Sequence, residues 1–305
     1  MDPSNPYFKQ VELLVRILPF VARHGCFALK GGTALNLFVR DMPRLSVDID
    51  LTYVRVNDRE DAMAEIDSAL RVLTEQLTQA MPGLRTTGST LTRTNYLYKL
   101  VAQIGQTQVK IEISPVMRGV LNEPVVMETA QNVQAVFGYA QVPVVSFDDL
   151  YAGKLSAAFD RQHPRDLFDI AVLLRHEGLS RDLLDTFLVY LLCSNRPVAE
   201  MLSPNEPRLA QSFFDEFMGM TNEPITIEQL ERARLQMVKQ VNENLTATQK
   251  QFLLSFKQGE PDWGLLNRAG VERLPAIQWK LHNIRKMPKQ KHKAALKKLE
   301  NVLLG

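Results

Sequence analysis

The segment LKGGTALNLFVRDMPRLSVDIDLTY, Leu29 to Tyr53, decides how this chain folds. Within it, Ser46-Val47-Asp48-Ile49-Asp50-Leu51-Thr52-Tyr53 alternates polar and apolar residues without a break. Successive side chains of a strand point to opposite faces, so Val47, Ile49, Leu51 and Tyr53 share one face. Ser46, Asp48, Asp50 and Thr52 take the other. Two adjacent carboxylates raise one another's pKa unless a cation sits between them. Hard divalent ions such as Mg²⁺ take oxygen ligands, commonly a few carboxylates completed by substrate phosphates. Upstream, Gly31-Gly32 opens a short apolar helix whose first backbone N–H groups can meet a phosphate. The stretch reads as a metal-and-nucleotide site.

Moving outward, a second strand offers a third carboxylate. Gln106 to Ser114, QTQVKIEIS, alternates again. Val109, Ile111 and Ile113 face one way, and Lys110, Glu112 and Ser114 face the other. Paired beside the Asp48 strand, it would let Glu112 complete a three-carboxylate cluster able to hold two metal ions. Such a pair activates an attacking hydroxyl and stabilises the leaving oxygen of a phosphoryl displacement. Blander readings stand beside this one. An Asp-x-Asp strand is also what a solvated edge looks like, and Lys110 with Glu112 suits a cross-strand charge pair on an exposed face.

Further along, Ser146 and Asp149 read as a capping box opening a helix near Phe147. Lys154 and Arg161, seven residues apart, project from one face of it. Pro164 suits the first turn of a new helix, on which Asp166 and Asp169 fall three apart on one face. Two cations followed by two carboxylates suit holding triphosphate charge and orienting an acceptor. The plain alternative is surface ion pairs, each worth about 0–1 kcal/mol.

Taken in order, KGGTALNL, RLSVDIDL, VKIEIS and GKLSAAFDRQHPRDLFDIAVLL (Gly153 to Leu174) resemble the AbiEii/MenT nucleotidyltransferase-like toxins of type IV toxin–antitoxin and abortive-infection modules. The likeness covers roughly the first 175 residues, and the helical remainder more loosely. It implies an α+β nucleotidyltransferase fold, a mixed sheet with helices, over residues 1–145, and an all-helical domain over 146–305. It also implies transfer of a nucleoside monophosphate from an NTP to an acceptor hydroxyl. Asp48, Asp50 and Glu112 would hold Mg²⁺, while Gly31, Gly32, Thr33 and Ser46 cradle phosphates. Lys154 matches the family's nucleotide-contacting lysine and Asp169 its late catalytic aspartate, with Arg161 and Asp166 as neighbours on the nucleotide. Either Asp166 or Asp169 can be the late carboxylate. By the same resemblance the acceptor is the 3′ end of tRNA, modification of which stops translation, and a cognate antitoxin protein is the partner. A protein or small-molecule acceptor, or a catalytically silent partner-binding protein of the same fold, are the rivals.

Composition bounds the rest. The chain's 305 residues, 45% of them hydrophobic, suffice for two cores. Cys26 and Cys193 follow no metal-ligand spacing, which argues against zinc and disulfides and for buried thiols. Met1 to Lys9 lacks the apolar stretch of a signal peptide. Phe187 to Cys193, the longest strongly apolar run, is too short to span a bilayer. A cytoplasmic protein is expected.

The periodicity predicts helices over 7–24 and 59–77, a strand over 26–29, a hairpin turning near Gly105, and one or two short strands in 123–145. Thr226 with Gln229 and Thr246 with Gln249 cap two later helices, reaching about Leu245 and Lys257. Charge is uneven. Trp279 to Lys298 holds eight Lys or Arg residues and no acid, leaving 28 basic against 34 acidic residues elsewhere. A local basic segment on an acidic chain suits phosphate-backbone binding, with Trp279, His282 and Arg285 nearest to a stacking platform. A solvated Lys-rich helix is the ordinary alternative.

Overall fold

A computed structural model describes residues 5–206, 208–221 and 224–305. They form two compact units. The first runs to Leu150 and takes back a later segment, Gly219–Pro224; the second comprises Tyr151–Met218 and Ile225–Gly305.

In the first unit lie helices α1 (Pro6–Val21), α2 (Gly31–Ala34), α3 (Arg59–Ala80) and α4 (Gln131–Phe137). Its strands are β1 (Phe27–Lys30), β2 (Asp48–Tyr53), β3 (Arg85–Thr90), β4 (Leu97–Ile104), β5 (Thr107–Arg118), β6 (Val125–Glu128) and β7 (Gln141–Val144). They make one mixed sheet in the order β3-β4-β5-β2-β1-β7-β6. The β2/β5 and β1/β7 pairs are parallel and the others antiparallel. Ile49, Leu51, Tyr53, Val109, Ile111 and Ile113 are fully buried, as the alternation predicts. Tyr53 donates its hydroxyl proton to Glu65 of α3 at 2.6 Å, so the apolar face lies under that helix. The period-two pattern thereby leaves Asp48, Asp50, Lys110 and Glu112 on the other face.

Several boundaries differ from the expectation. Strand β2 begins at Asp48, because Ser46 is buried against Thr33, and Thr52 is buried too. Helix α1 stops at Val21, where Arg23 and His24 turn back onto Phe20 and Val21. Strand β3, RTTGST, is half to fully exposed and carries no apolar alternation, so only its backbone ladder with β4 defines it. Helix α4 hides inside the Val-rich stretch, announced only by buried Val133 and Phe137 four residues apart.

Helix α5 (Phe147–Arg161) begins in the first unit and continues into the second. There follow α6 (Pro164–His176), α7 (Arg181–Cys193), α8 (Val198–Leu202), α9 (Ala210–Glu216), α10 (Ile227–Asn244), α11 (Ala247–Gln258), α12 (Pro275–Arg285) and α13 (Lys289–Leu304). Both anticipated capping boxes open α10 and α11 with reciprocal bonds, and Gly259 closes α11 at φ +92°. Among the described residues no helix is long and apolar enough to cross a membrane. Burial pushes the Cys26 thiol up to about 11 and that of Cys193, whose residue keeps a little surface exposure, up to about 12.

Candidate active site

The sheet carries a row of charge in which two acids lie side by side between two lysines. Antiparallel pairing sets Lys30 of β1 opposite Asp50 of β2. Parallel pairing sets Asp50 beside Glu112 of β5, and Glu112 lies opposite Lys99 of β4. One residue pair along the strands, Asp48 lies beside Lys110. The lysines engage the acids loosely, Lys99 to Glu112 at 3.6 Å and Lys110 to Asp48 at 3.9 Å, all four side chains partly exposed. Among the described residues no three His, Cys, Asp or Glu gather closely enough to hold a metal ion as the side chains stand. Burial lowers the pKa of the Lys30 ammonium, while Asp50 and Glu112 oppose that shift.

The diglycine is required by contact. Gly31 sits at φ +72°, and a β-carbon there would lie 2.5 Å from Asp50 Oδ2. The turn therefore lets a carboxylate approach a helix start, where oriented N–H groups favour negative charge. A β-carbon on Gly32 would meet Arg44 Nη2 and Ser46 Oγ, each at 2.8 Å. Thr33 is wholly buried and its hydroxyl lies 2.5 Å from the Asp48 carbonyl and 3.1 Å from Ser46 Oγ. That clip ties the start of α2 to the entry of β2 and so fixes the height of Asp48. Arg44, also buried, reaches the Leu45 carbonyl, while Leu45 N–H donates to Met220 of the return segment at 2.7 Å.

In the second unit the four charges of the α5 and α6 block meet one another. Lys154 Nζ lies 3.0 Å from both Asp166 and Asp169. Arg161 adds Nε at 2.6 Å and Nη2 at 3.1 Å to Asp166. Burial alone would raise the Asp166 carboxyl, but Lys154 and Arg161 outweigh it and hold it well below the usual carboxylate range. Pro164 occupies the first turn of α6, as expected, and His163 caps it by accepting the Arg165 N–H. At the start of α5, Ser146 accepts the Asp149 N–H at 3.1 Å. Asp149 is buried there and does more than pair with the cap. Its carboxylate accepts from the Ser146 hydroxyl and from Leu121 and Asn122.

The family model of the nucleotidyl transferase AbiEii toxin, a type IV toxin–antitoxin system, matches residues 12–283. The chain belongs to that family. It is therefore a nucleotidyltransferase of the toxin class. Among curated proteins no match is found. Among solved structures, MenT4, a nucleotidyltransferase toxin from Mycobacterium tuberculosis H37Rv, is similar with a TM-score of 0.61 and 15% identity, covering 91% of this chain and 93% of that chain. Likeness at that identity concerns the fold, and the α+β nucleotidyltransferase fold with its helical C-terminal region is what the two share.

Within this toxin fold, sequence reasoning passed over Lys30 and Arg44. Lys30 directly precedes the diglycine at the end of a strand, which was the available signal. Arg44 sits in an irregular loop, and nothing in the spacing of MPRLS betrays that its guanidinium lies under Gly32.

Proposed function

We propose that this toxin transfers a nucleoside monophosphate from an NTP to the 3′-terminal hydroxyl of tRNA and so arrests translation. The acceptor oxygen forms a bond to the α-phosphorus, the bond to the β-phosphate breaks, pyrophosphate leaves, and the hydroxyl proton passes to solvent. The observation that carries this reading is the placement of Asp48, Asp50 and Glu112 on one sheet face, with Asp50 against the Gly31 turn.

That donor set suits a hard divalent cation. It is all oxygen, it occupies neighbouring register positions, and its present lysine pairs are long and exposed, hence weak. Asp48, Asp50 and Glu112 would hold Mg²⁺, which supplies charge neutralisation on the phosphates and polarises the attacking and leaving oxygens. The N–H groups after Gly31 and Gly32 offer bonds to the phosphates. Thr33 and Ser46 support those groups by the clip between them. Lys154 and Arg161 would supply cationic contacts to the nucleotide, with Asp166 and Asp169 bonded to Lys154 beside them, and either carboxylate would be the one that acts on the acceptor. Catalysis of this kind is positioning plus electrostatics. The cytoplasm and a cognate antitoxin protein complete the setting.

The test incubates the protein with each α-labelled NTP and Mg²⁺, against total tRNA and against total protein, and resolves the products on a gel. Label on tRNA with release of pyrophosphate supports the reading. Label on protein or on a small molecule replaces the acceptor, and no labelled product under any condition removes the reaction.

A further inference from the structure

The helical unit holds a second cationic feature that the reaction above does not use. A cavity of about 170 Å³ opens where the end of α7 meets α11 and α12, lined among others by Cys193, Asn195, Lys257, Trp279, Lys280 and Asn283. No carboxylate is among its lining residues. Lys280 enters from α12 and donates to the Ser194 carbonyl at 2.5 Å and the Arg196 carbonyl at 2.9 Å. An ammonium has three N–H bonds, so two spent on carbonyls leave one for the cavity. Burial, and after it the positive charge of nearby Lys257, push the Lys280 ammonium down to about 8. Two lysines sharing a cavity without an acid repel each other and are relieved by an anion.

The rim adds an aromatic surface. Trp279 is 55% exposed and stacks on His282, with centroids 5.8 Å apart and planes at 18°. Trp263, by contrast, packs against Phe252 and Phe256. An exposed indole beside a phosphate-sized cationic cavity is the pairing that single-stranded nucleic acids meet on stacking platforms. The cavity is smaller than the roughly 300 Å³ at which sites for whole small molecules begin, so it suits a phosphate with the base left outside.

We propose that this cavity binds one nucleotide of single-stranded RNA, its phosphate between Lys257 and Lys280 and its base on Trp279. The site deepens the RNA-acceptor reading and rests on it. It also changes which basic residues matter. Lys280 is turned inward to cap α7, Arg285 bonds the Gly259 carbonyl, and Lys298 pairs with Glu200. Lys286, Lys289, Lys291, Lys293 and Lys297 stay exposed along α12 and α13 for less specific contact.

The experiment measures binding of a labelled single-stranded RNA pentamer to the full chain, without NTP, by anisotropy and by tryptophan fluorescence. Inorganic phosphate and a nucleoside monophosphate serve as competitors. Wild type should show quenching that disappears in Trp279→Phe. Trp279→Ala should weaken binding about tenfold. Lys257→Gln should weaken it severalfold and lower the salt slope by roughly 0.7. Lys280→Met risks uncapping α7, so it is read only beside Lys257→Gln, with circular dichroism as the check on folding. Wild-type affinity in both Trp279→Ala and Lys257→Gln overturns the inference, as does phosphate binding equal to that of the RNA with Trp279 silent. Should those variants bind normally while wild type still labels tRNA, this site falls and the acceptor reading stands. Quenching of Trp279 by RNA without any label transfer gives the reverse.

Discussion

Replacing Lys154 by Met tests whether the charges of α5 and α6 form a buried network or merely decorate a surface. Lys154 is 6% exposed, Asp166 0% and Asp169 1%. Met keeps the length and apolar stem of Lys but removes the ammonium that lies 3.0 Å from both acids. Breaking a buried ion pair from one side costs about 3–5 kcal/mol, because it strands charge in a poor dielectric. Arg161 still bonds Asp166, so the lower half of that range is the better figure. For a unit of about 150 residues this lowers Tm by roughly 6–16 °C. The pH dependence carries the sharper signature. In wild type the depressed Asp166 carboxyl contributes stability that is fully present above about pH 4 and lost only as pH falls through its lower folded value. In the variant the buried acids lose their cation and their pKa values rise, so protonation relieves the cost and the Tm deficit shrinks between pH 7 and pH 5. Differential scanning fluorimetry across that range reads both effects. A deficit under about 2 °C at pH 7, or one that does not narrow on acidification, would refute the network. The same result bears on kinetics, since any fall in transfer by Lys154→Met must first be corrected for the folded fraction.

Other substitutions separate geometry from chemistry. Gly31→Ala and Gly83→Ala both place a side chain at positive φ, at a cost of roughly 1–3 kcal/mol. Only the first drives a β-carbon against Asp50, whereas Gly83 has open space around it. Melting temperatures should drop comparably, and only Gly31→Ala should lose transfer; equal activity in the two would deny Asp50 its role. Lys30→Met removes the cation facing Asp50 and Glu112, so the Mg²⁺ concentration for half-maximal activity should fall about threefold or more, and a midpoint that stays put or rises would contradict the charge row. Asp149→Ala strips the acceptor from Leu121, Asn122 and Ser146 at a buried position, and denaturant melts should show a loss of about 3 kcal/mol or more.

What could be read from the sequence tracks how local the physics is. The faces of β2 and β5 follow from a period of two, and the caps of α10 and α11 from two Thr-x-x-Gln patterns, all within a few residues. Parallel pairing of β2 with β5, which brings Glu112 beside Asp50, was legible only as a condition, since register is a long-range property. Strand β3 and helix α4 escaped because their stability comes from neighbours and their sequences lack a clear apolar period. The adoption of Gly219–Pro224 by the first unit left no trace in composition. The residue types and spacings of Asp48 and Asp50 in the first unit, and of Lys154 and Asp169 in the second, stood out, whereas Arg44 against Gly32 did not. Lys280 illustrates the same limit. It reads as one more surface charge, yet two carbonyls at the end of α7 turn it inward.

The most direct measurement is the single-turnover rate of nucleoside monophosphate transfer by Asp50→Asn, with folding verified in the same preparation. Asn keeps the size of the side chain beside Gly31 and removes the charge, so melting without Mg²⁺ should be unchanged or slightly higher. A well-placed electrostatic group at a reacting phosphate contributes about 10²–10³ in rate, and transfer by Asp50→Asn should fall at least that far. A folded Asp50→Asn protein that transfers within a few-fold of wild type would mean that the carboxylate row is not where this toxin does its chemistry.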